Sequence, residues 1–310
     1  MFLIEAERLI RLRGIPSPRK SYKTRLLHHV YTYLRIMAES ILVSSGGADN
    51  EQTLRAQPMD SSSSSLRRFR VSEESLDAYL DPLREKGTDQ GYNDIHLEIL
   101  GKWNQTLYPE IYGVPETLMT LLSQSICLAN DRKRLDRVAL GDLNIANALM
   151  RHTKKLERNI WMWKPQEDAQ SLEAGLEVGL DCIGQSTLTR SMVSAVHQAV
   201  LIYFYRRMHN VDAMMLQDLV RKTFDSLLPC LAGSTYDQDF ASSITWPVFI
   251  ASSEAATPEL QNRALECLAF IDTRGAFFIP QKASDVVRQV WKKREETDDW
   301  TISWLDVLST

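Results

Sequence analysis

The motifs of common catalytic and metal-binding sites are missing from this sequence of 310 residues. It has no glycine-rich phosphate loop, no HExxH and no GxSxG pattern. Its four cysteines lie far apart without a CxxC pair, which excludes a zinc knuckle or a thioredoxin-like redox site; they are Cys127, Cys182, Cys230 and Cys267. We therefore predict no catalytic residue, no metal ligand and no cofactor, and a protein that is not an enzyme.

Long apolar runs, glycine and proline are scarce as well. The longest apolar run, residues 199–205, is far too short to cross a bilayer, and no signal peptide opens the chain. Only 13 glycines and 11 prolines occur, which favours long helices over a turn-rich β architecture. With 44% hydrophobic and 25% charged residues, the composition is typical of an intracellular globular protein.

What is abundant is helical periodicity. Apolar residues recur at steps of three and four in residues 21–43, 114–128 and 142–163, and residues 188–208 are apolar on nearly every side. Asp142 and Thr257 are predicted N-caps, the latter followed by Pro258. Residues 21–43 are predicted to bury one stripe: Leu27, Val30, Tyr31, Leu34, Met37, Ala38 and Ile41. The fold class is therefore predicted to be all-α, an irregular multi-helix bundle.

One segment departs from this pattern. Residues 44–65 are rich in serine and glycine and contain little apolar area, so we expect a disordered loop there. Neither flank resembles a separate core, and we expect a single helical domain over residues 1–310 that this loop interrupts. Because the sequence starts inside a helical pattern without a cap, we also expect the natural domain to extend further upstream.

Several weaker patterns leave two interpretations open. Residues 1–35 carry eight basic and two acidic side chains, as in a phosphate-contacting arm or a solvated helical hairpin. Two aromatic clusters, Trp161 with Trp163 and residues 203–205, suit either an apolar effector pocket or core packing. The acidic-aromatic residues 295–308 resemble an activation segment, but a terminal helix that docks its tryptophans is favoured.

The histidines and small motifs favour structural roles. His197 falls on the most apolar helix, and a hydrogen-bonded structural imidazole is favoured there over a metal ligand. Ser17 to Lys20 match SxxK only literally, without the companion motifs of acyl-serine enzymes. Gly175, Gly179 and Gly184 indicate close helix packing rather than phosphate binding. An effector-binding site stays unknown.

Several stretches, in order along nearly the whole chain, resemble the fungal-specific transcription factor domain of zinc-cluster regulators such as those of arginine metabolism and acriflavine sensitivity. They are residues 7–11 (ERLIR), 23–35 (KTRLLHHVYTYLR), 111–118 (IYGVPETL), 199–207 (AVLIYFYRR), 244–255 (ITWPVFIASSEA) and 290–294 (VWKKR), with Arg263 and Asp299-Trp300. The resemblance implies a helical regulatory domain and a nuclear role in controlling transcription, in a metabolic or secondary-metabolite pathway.

In one respect the chain differs from this family. The family's DNA-reading module is a cluster of six cysteines around two zinc ions, and nothing in residues 1–310 can form it. Direct DNA binding is therefore in doubt, and the implied partners are a full-length zinc-cluster factor, a coactivator or a second copy of this chain. The alternative is a repurposed family member that acts as an enzyme or small-molecule binder.

Overall fold

A computed structural model describes residues 2–12, 21–41, 80–165, 180–232, 241–273 and 282–308. These residues form twelve α-helices: α1 Phe2–Leu12, α2 Tyr22–Ile41, α3 Thr88–Asn93, α4 Tyr108–Tyr112, α5 Glu116–Gly141, α6 Leu143–Met162, α7 Leu180–Phe204, α8 Gln217–Ala232, α9 Ala241–Glu254, α10 Pro258–Asp272, α11 Ala283–Thr297 and α12 Trp304–Leu308. Within these ranges β pairing is limited to one isolated bridge between Glu85 and Lys102. The all-α prediction is confirmed.

Helix α7 lies at the centre of the bundle. It packs on α8 and α9, and it continues into a π-helical turn, Tyr205–His209. Val200, Ile202, Tyr203 and Phe204 are fully buried on different sides of the helix. A helix that is apolar all round is stable only when neighbours cover every face, so the prediction of a central helix is confirmed.

Helix α2 buries most of the stripe that its apolar spacing predicts: Tyr31, Met37 and Ile41 are buried, and Val30, Leu34 and Ala38 are half-buried. Leu27, placed on the buried stripe, is 65% exposed, whereas His29 and Thr32 are buried. Their polar groups are satisfied by the segment that follows residue 80: the Thr32 hydroxyl donates to the Ile95 carbonyl at 2.7 Å, and His29 Nε2 accepts from the Leu107 amide at 3.2 Å. Specific hydrogen bonds thus add two polar residues to the buried face, while Leu27 stays in solvent.

The predicted helix starts at Asp142 and Thr257 are confirmed by their caps. The Asp142 carboxylate accepts from the amides of Asn144 and Ile145 before α6, and the Thr257 hydroxyl accepts from the Leu260 amide before α10. Helix α5 begins after Pro115 as expected but runs to Gly141, well past the predicted residue 128.

One hydrophobic core draws on every helix from α2 to α12 except the short α3. The predicted loop over residues 44–65 lies outside the described residues, as do Ser17 to Lys20, Gly175 and Gly179. None of the described helices combines the length and apolar character that a membrane span requires.

Candidate functional site

A buried ionic triad joins three of the stretches that carry the family resemblance. Glu254, at the end of α9, lies 3.0 Å from Arg206 Nε in the π-helical turn and 2.8 Å from Arg294 Nη2 of α11. All three side chains are buried. Two arginines around one carboxylate would leave excess positive charge, but backbone carbonyls, including those of Ser253 and Ile302, accept from their remaining N–H groups. The triad is enclosed by the fold.

The triad fixes the acidic-aromatic residues at the C-terminal end. Arg206 and Arg294 both donate to the Ile302 carbonyl, at 3.0 and 2.8 Å. Two residues later, Trp304 is fully buried against Tyr203 and Phe249. The interpretation of this segment as a docked terminal helix is confirmed.

The two aromatic clusters line neither of the two cavities described below. Tyr203 and Phe204 are fully buried in the core, as the packing interpretation predicts. Trp163 packs on His197 and donates to the Thr117 hydroxyl at 3.1 Å. Trp161 behaves differently: it is 54% exposed and lies on the surface.

Histidines and cysteines take structural positions where the structure describes them. His197 Nε2 lies 2.7 Å from the Ile160 carbonyl, and burial lowers the pKa of its imidazole, which favours a neutral donor. Cys127, Cys230 and Cys267 are buried. Burial raises the pKa of Cys230 and of Cys267 to about 11, so both stay protonated and unreactive.

A second buried ionic cluster lies where α2 meets residues 80–116. Lys86 Nζ is 2.6 Å from Glu116 Oε1 and 3.1 Å from Asp94 Oδ2. Asp94 also accepts from the amides of Glu98 and Ile99. Burial alone would lower the pKa of Lys86, but the two carboxylates outweigh it and raise that pKa, so the ammonium stays charged. The cluster pins the irregular segment 80–107 against α5.

Next to this cluster is a cavity of about 20 Å³, the size of one water molecule. Glu116 Oε2, which lines it, has no hydrogen-bond partner among the described residues. An aromatic and cationic rim closes it from outside: Arg25 lies over the rings of Tyr92 and Trp103. This cavity has space for a bridging water and not for a metabolite.

A larger groove of about 350 Å³ lies on the other side of residues 89–99. Its lining is rich in hydrogen-bond acceptors. Asp89 and Glu98 supply carboxylates, and the Asn93 amide oxygen is buried without a hydrogen-bond partner among the described residues. One wall is Arg11 of α1. Its volume falls within the range of small-molecule pockets, so this groove is the candidate ligand site.

Helix α1 is held beside this groove by the buried carboxylate of Glu7. Tyr31 Oη donates to Glu7 Oε2 at 2.7 Å, Arg11 Nη2 donates to Oε1 at 2.7 Å, and His96 Nε2 lies 3.3 Å from Oε1. Burial would raise the pKa of Glu7, but His96, Tyr31 and Arg11 together lower it to about 2. Glu7 and Glu98 likewise raise the pKa of His96 although its burial opposes this.

Sequence reasoning missed these polar clusters, and little in the sequence points to them. Lys86, Asp94 and Glu116 are spaced irregularly: Lys86 lies before α3, Asp94 directly after it and Glu116 at the start of α5. Within the described ranges, no three His, Cys, Asp or Glu side chains meet as metal ligands would. Chemically, the groove is suited to hold a cation or a hydrogen-bond donor rather than to activate a nucleophile.

The sequence was compared with known proteins in three ways. A family model described as "Fungal specific transcription factor domain" matches residues 1–309. No curated protein and no solved structure matches the chain. The match spans all of the described elements, from α1 to α12.

Proposed function

Because the chain belongs to the fungal-specific transcription factor domain family, we propose that it regulates the transcription of a metabolic gene set in the nucleus. The family match over residues 1–309 is the observation that carries this proposal. The triad of Arg206, Glu254 and Arg294 supports it, since the residues that carry the resemblance are the ones that hold this helical bundle together.

We further propose that the chain acts through protein contacts rather than through a zinc cluster within these 310 residues. Four dispersed cysteines cannot supply the six thiolates of such a cluster, and three of them are buried in the helical core. A full-length zinc-cluster factor or a coactivator is then the partner that would bring the domain to promoters.

Transcript profiling tests the proposal. The gene is deleted, and the deletion strain is complemented with the wild-type chain or with an empty vector. We expect one coherent group of genes to change on deletion and to return on complementation. Chromatin immunoprecipitation of the tagged chain should enrich the same promoters, and this enrichment should be lost when the zinc-cluster partner that co-purifies with it is deleted.

A different result would contradict the regulator proposal. If transcripts stay unchanged while one metabolite accumulates in the deletion strain, the chain acts on that metabolite instead. The family assignment would survive such a result, but the function would be that of a repurposed member.

The groove beside α1 supports a second candidate function, the binding of a small cationic metabolite. Asp89, Asn93 and Glu98 together present carboxylate and amide oxygens to a space of about 350 Å³. An ammonium or guanidinium group is the natural complement of such a lining.

This second function is tested with a panel of amines, amino acids and guanidines in a thermal-shift assay. A ligand at a hundred times its Kd should stabilise the folded chain by about 2.7 kcal/mol, which is a measurable rise in Tm. The double variant Asp89→Asn and Glu98→Gln should abolish the shift, whereas Asp218→Asn, an exposed carboxylate on α8, should leave it intact. A panel without any shift would remove this candidate.

A further inference from the structure

The outward face of α6 combines positive charge with exposed apolar side chains. Its members recur at steps of three and four residues, which places them on one side of the helix. We call this face the cationic stripe; it consists of Met150, Arg151, Lys154, Lys155, Arg158, Trp161 and Met162, all of them exposed. On the opposite side, His152, Leu156 and Ile160 are buried.

Three of the four cations of the stripe have no acidic partner among the described residues. Lys154 and Lys155 form no ion pair with a described residue, and Arg158 Nε contacts only the sulfur of Met162, at 3.5 Å. The single acidic residue of α6, Glu157, is turned aside and accepts from Tyr205 Oη at 2.7 Å. Three such cations on one stripe are notable in a chain whose formal net charge is −4.

The apolar members are exposed to an extent that solvent disfavours. Met150 is 50%, Trp161 54% and Met162 65% exposed. Trp161 is also held in place, because its Nε1 donates to Tyr205 Oη at 2.6 Å. A fixed, half-exposed tryptophan among methionines is typical of a contact surface, since ordering the side chain beforehand lowers the entropy lost on binding.

From this combination we propose that the cationic stripe binds an acidic amphipathic segment of a partner protein, with carboxylates and large apolar side chains at helical spacing. The carboxylates would pair with Lys154, Lys155 and Arg158, and the apolar side chains would cover Trp161 and Met162. Because this names the partner class of a regulator, the inference rests on the proposed function.

Two other occupants fit less well. A nucleic-acid backbone would pair with the cations, but its phosphates offer nothing apolar to cover Trp161 and Met162. The chain's own acidic-aromatic residues at the C-terminal end are not available, because Trp304 is fully buried and Arg294 holds the Ile302 carbonyl.

Fluorescence anisotropy tests the inference with the full chain and a labelled synthetic peptide of about 20 residues, whose glutamates and leucines lie on adjacent stripes of one helix. The double variant Lys154→Glu and Lys155→Glu should weaken binding at least about tenfold, since two attractions become repulsions. Trp161→Ala should weaken it about fivefold through lost apolar contact. Arg288→Glu with Lys292→Glu, the same change on the exposed face of α11, should leave Kd within about twofold.

Four results would overturn the inference. The first is equal binding by the wild type and the α6 double variant. The second is equal binding of polyglutamate, which would show charge attraction alone. The third is tighter binding of a DNA duplex that Trp161→Ala does not affect. The fourth is peptide binding only after the acidic residues of 166–179 are replaced by amides, which would make the chain's own segment the occupant.

This experiment separates the inference from the proposed function. If the peptide does not bind but deletion still changes a coherent gene set, only the docking surface is wrong. If the peptide binds but transcripts stay unchanged, the surface exists and the regulatory role is wrong. Circular dichroism melting curves of all variants establish that each is folded before its Kd is compared.

Discussion

The outward face of α6 and the residues at the C-terminal end are similar in composition but opposite in burial. Each combines charged side chains with tryptophan. Trp304 is fully buried beneath a triad of buried charges, whereas Trp161 is 54% exposed beside cations that remain in solvent. Composition therefore does not decide whether a charged, aromatic stretch becomes core or surface; the residues that other helices place opposite it do.

The comparison also separates two uses of charge. Around Glu254 the charges are desolvated, so each must be matched by a partner or a carbonyl, and the arrangement fixes one conformation. On α6 the charges keep their hydration and contribute little to folding, so they remain available for a partner. The first arrangement is structural, and the second suits recognition.

Replacing the two tryptophans should give the largest contrast. Trp304→Ala should lower the free energy of unfolding by about 4 kcal/mol, because it leaves a cavity beside Tyr203 and Phe249. Trp161→Ala should lower it by less than about 1 kcal/mol, since half of the side chain is already in solvent. Urea unfolding followed by circular dichroism measures both; equal losses would show that Trp161 belongs to the core.

Neutralising the buried carboxylate should have the next largest effect. Glu254→Gln leaves Arg206 and Arg294 as adjacent buried cations, at an expected loss of about 3 kcal/mol in the free energy of unfolding. The matched change Glu296→Gln, in an exposed pair with Lys292, should cost less than about 1 kcal/mol. A small loss at both positions would mean that the buried triad is not what fixes the C-terminal end.

The third prediction concerns how the free energy of unfolding depends on pH. Glu7 has a folded pKa of about 2 against an ordinary value of 4.5, so its stabilisation is present above pH 4.5 and is lost as the pH falls toward 2. The raised pKa of His96 acts in the opposite direction: its stabilisation is present below pH 6.5 and is lost as the pH rises through the folded value. We expect α1 to be held most firmly between about pH 4.5 and 6.5.

Urea unfolding at several pH values measures this effect. The wild type should lose about 3 kcal/mol more than Glu7→Gln does between pH 5 and 2. Glu296→Gln serves as the exposed control and should follow the wild type. Parallel curves for the wild type and Glu7→Gln would show that Glu7 does not hold α1.

The smallest expected effect is the change in stability when two lysines of α6 are replaced, and it shows whether these lysines serve folding or recognition. Lys154 and Lys155 lie four residues from Arg158 and Arg151, so like charges face each other along the stripe. The double change Lys154→Glu and Lys155→Glu should raise the free energy of unfolding by about 0.5 kcal/mol while it weakens peptide binding. A thermal melt detects the gain; a clear loss of stability instead would assign these lysines to the fold.

Much of the fold could be predicted because it depends on local rules. The caps at Asp142 and Thr257 and the all-round apolar α7 follow from residues that are near in sequence. On α2 the apolar stripe could be predicted, but the burial of His29 and Thr32 could not, because the hydrogen bonds from Thr32 to Ile95 and from the Leu107 amide to His29 join residues more than sixty positions apart. Hydropathy also places Leu27 on the buried stripe, although its side chain is 65% exposed.

The candidate sites differ in the same way. The stripe on α6 can be recognised from the sequence, since cations at positions 151, 154, 155 and 158 share one face of any helix. The groove beside α1 cannot be recognised from the sequence. Asp89, Asn93 and Glu98 line one groove only when α1 packs against their segment.

The sequence by itself determined that this protein is helical, where several of its helices begin, and to which family it belongs, because periodicity, caps and motifs are written along the chain. Only the tertiary structure decided which charges are desolvated and which tryptophan is covered. Burial is a property of what other elements bring opposite a residue, and Glu254 needs Arg206 and Arg294 from distant helices before it can lie inside.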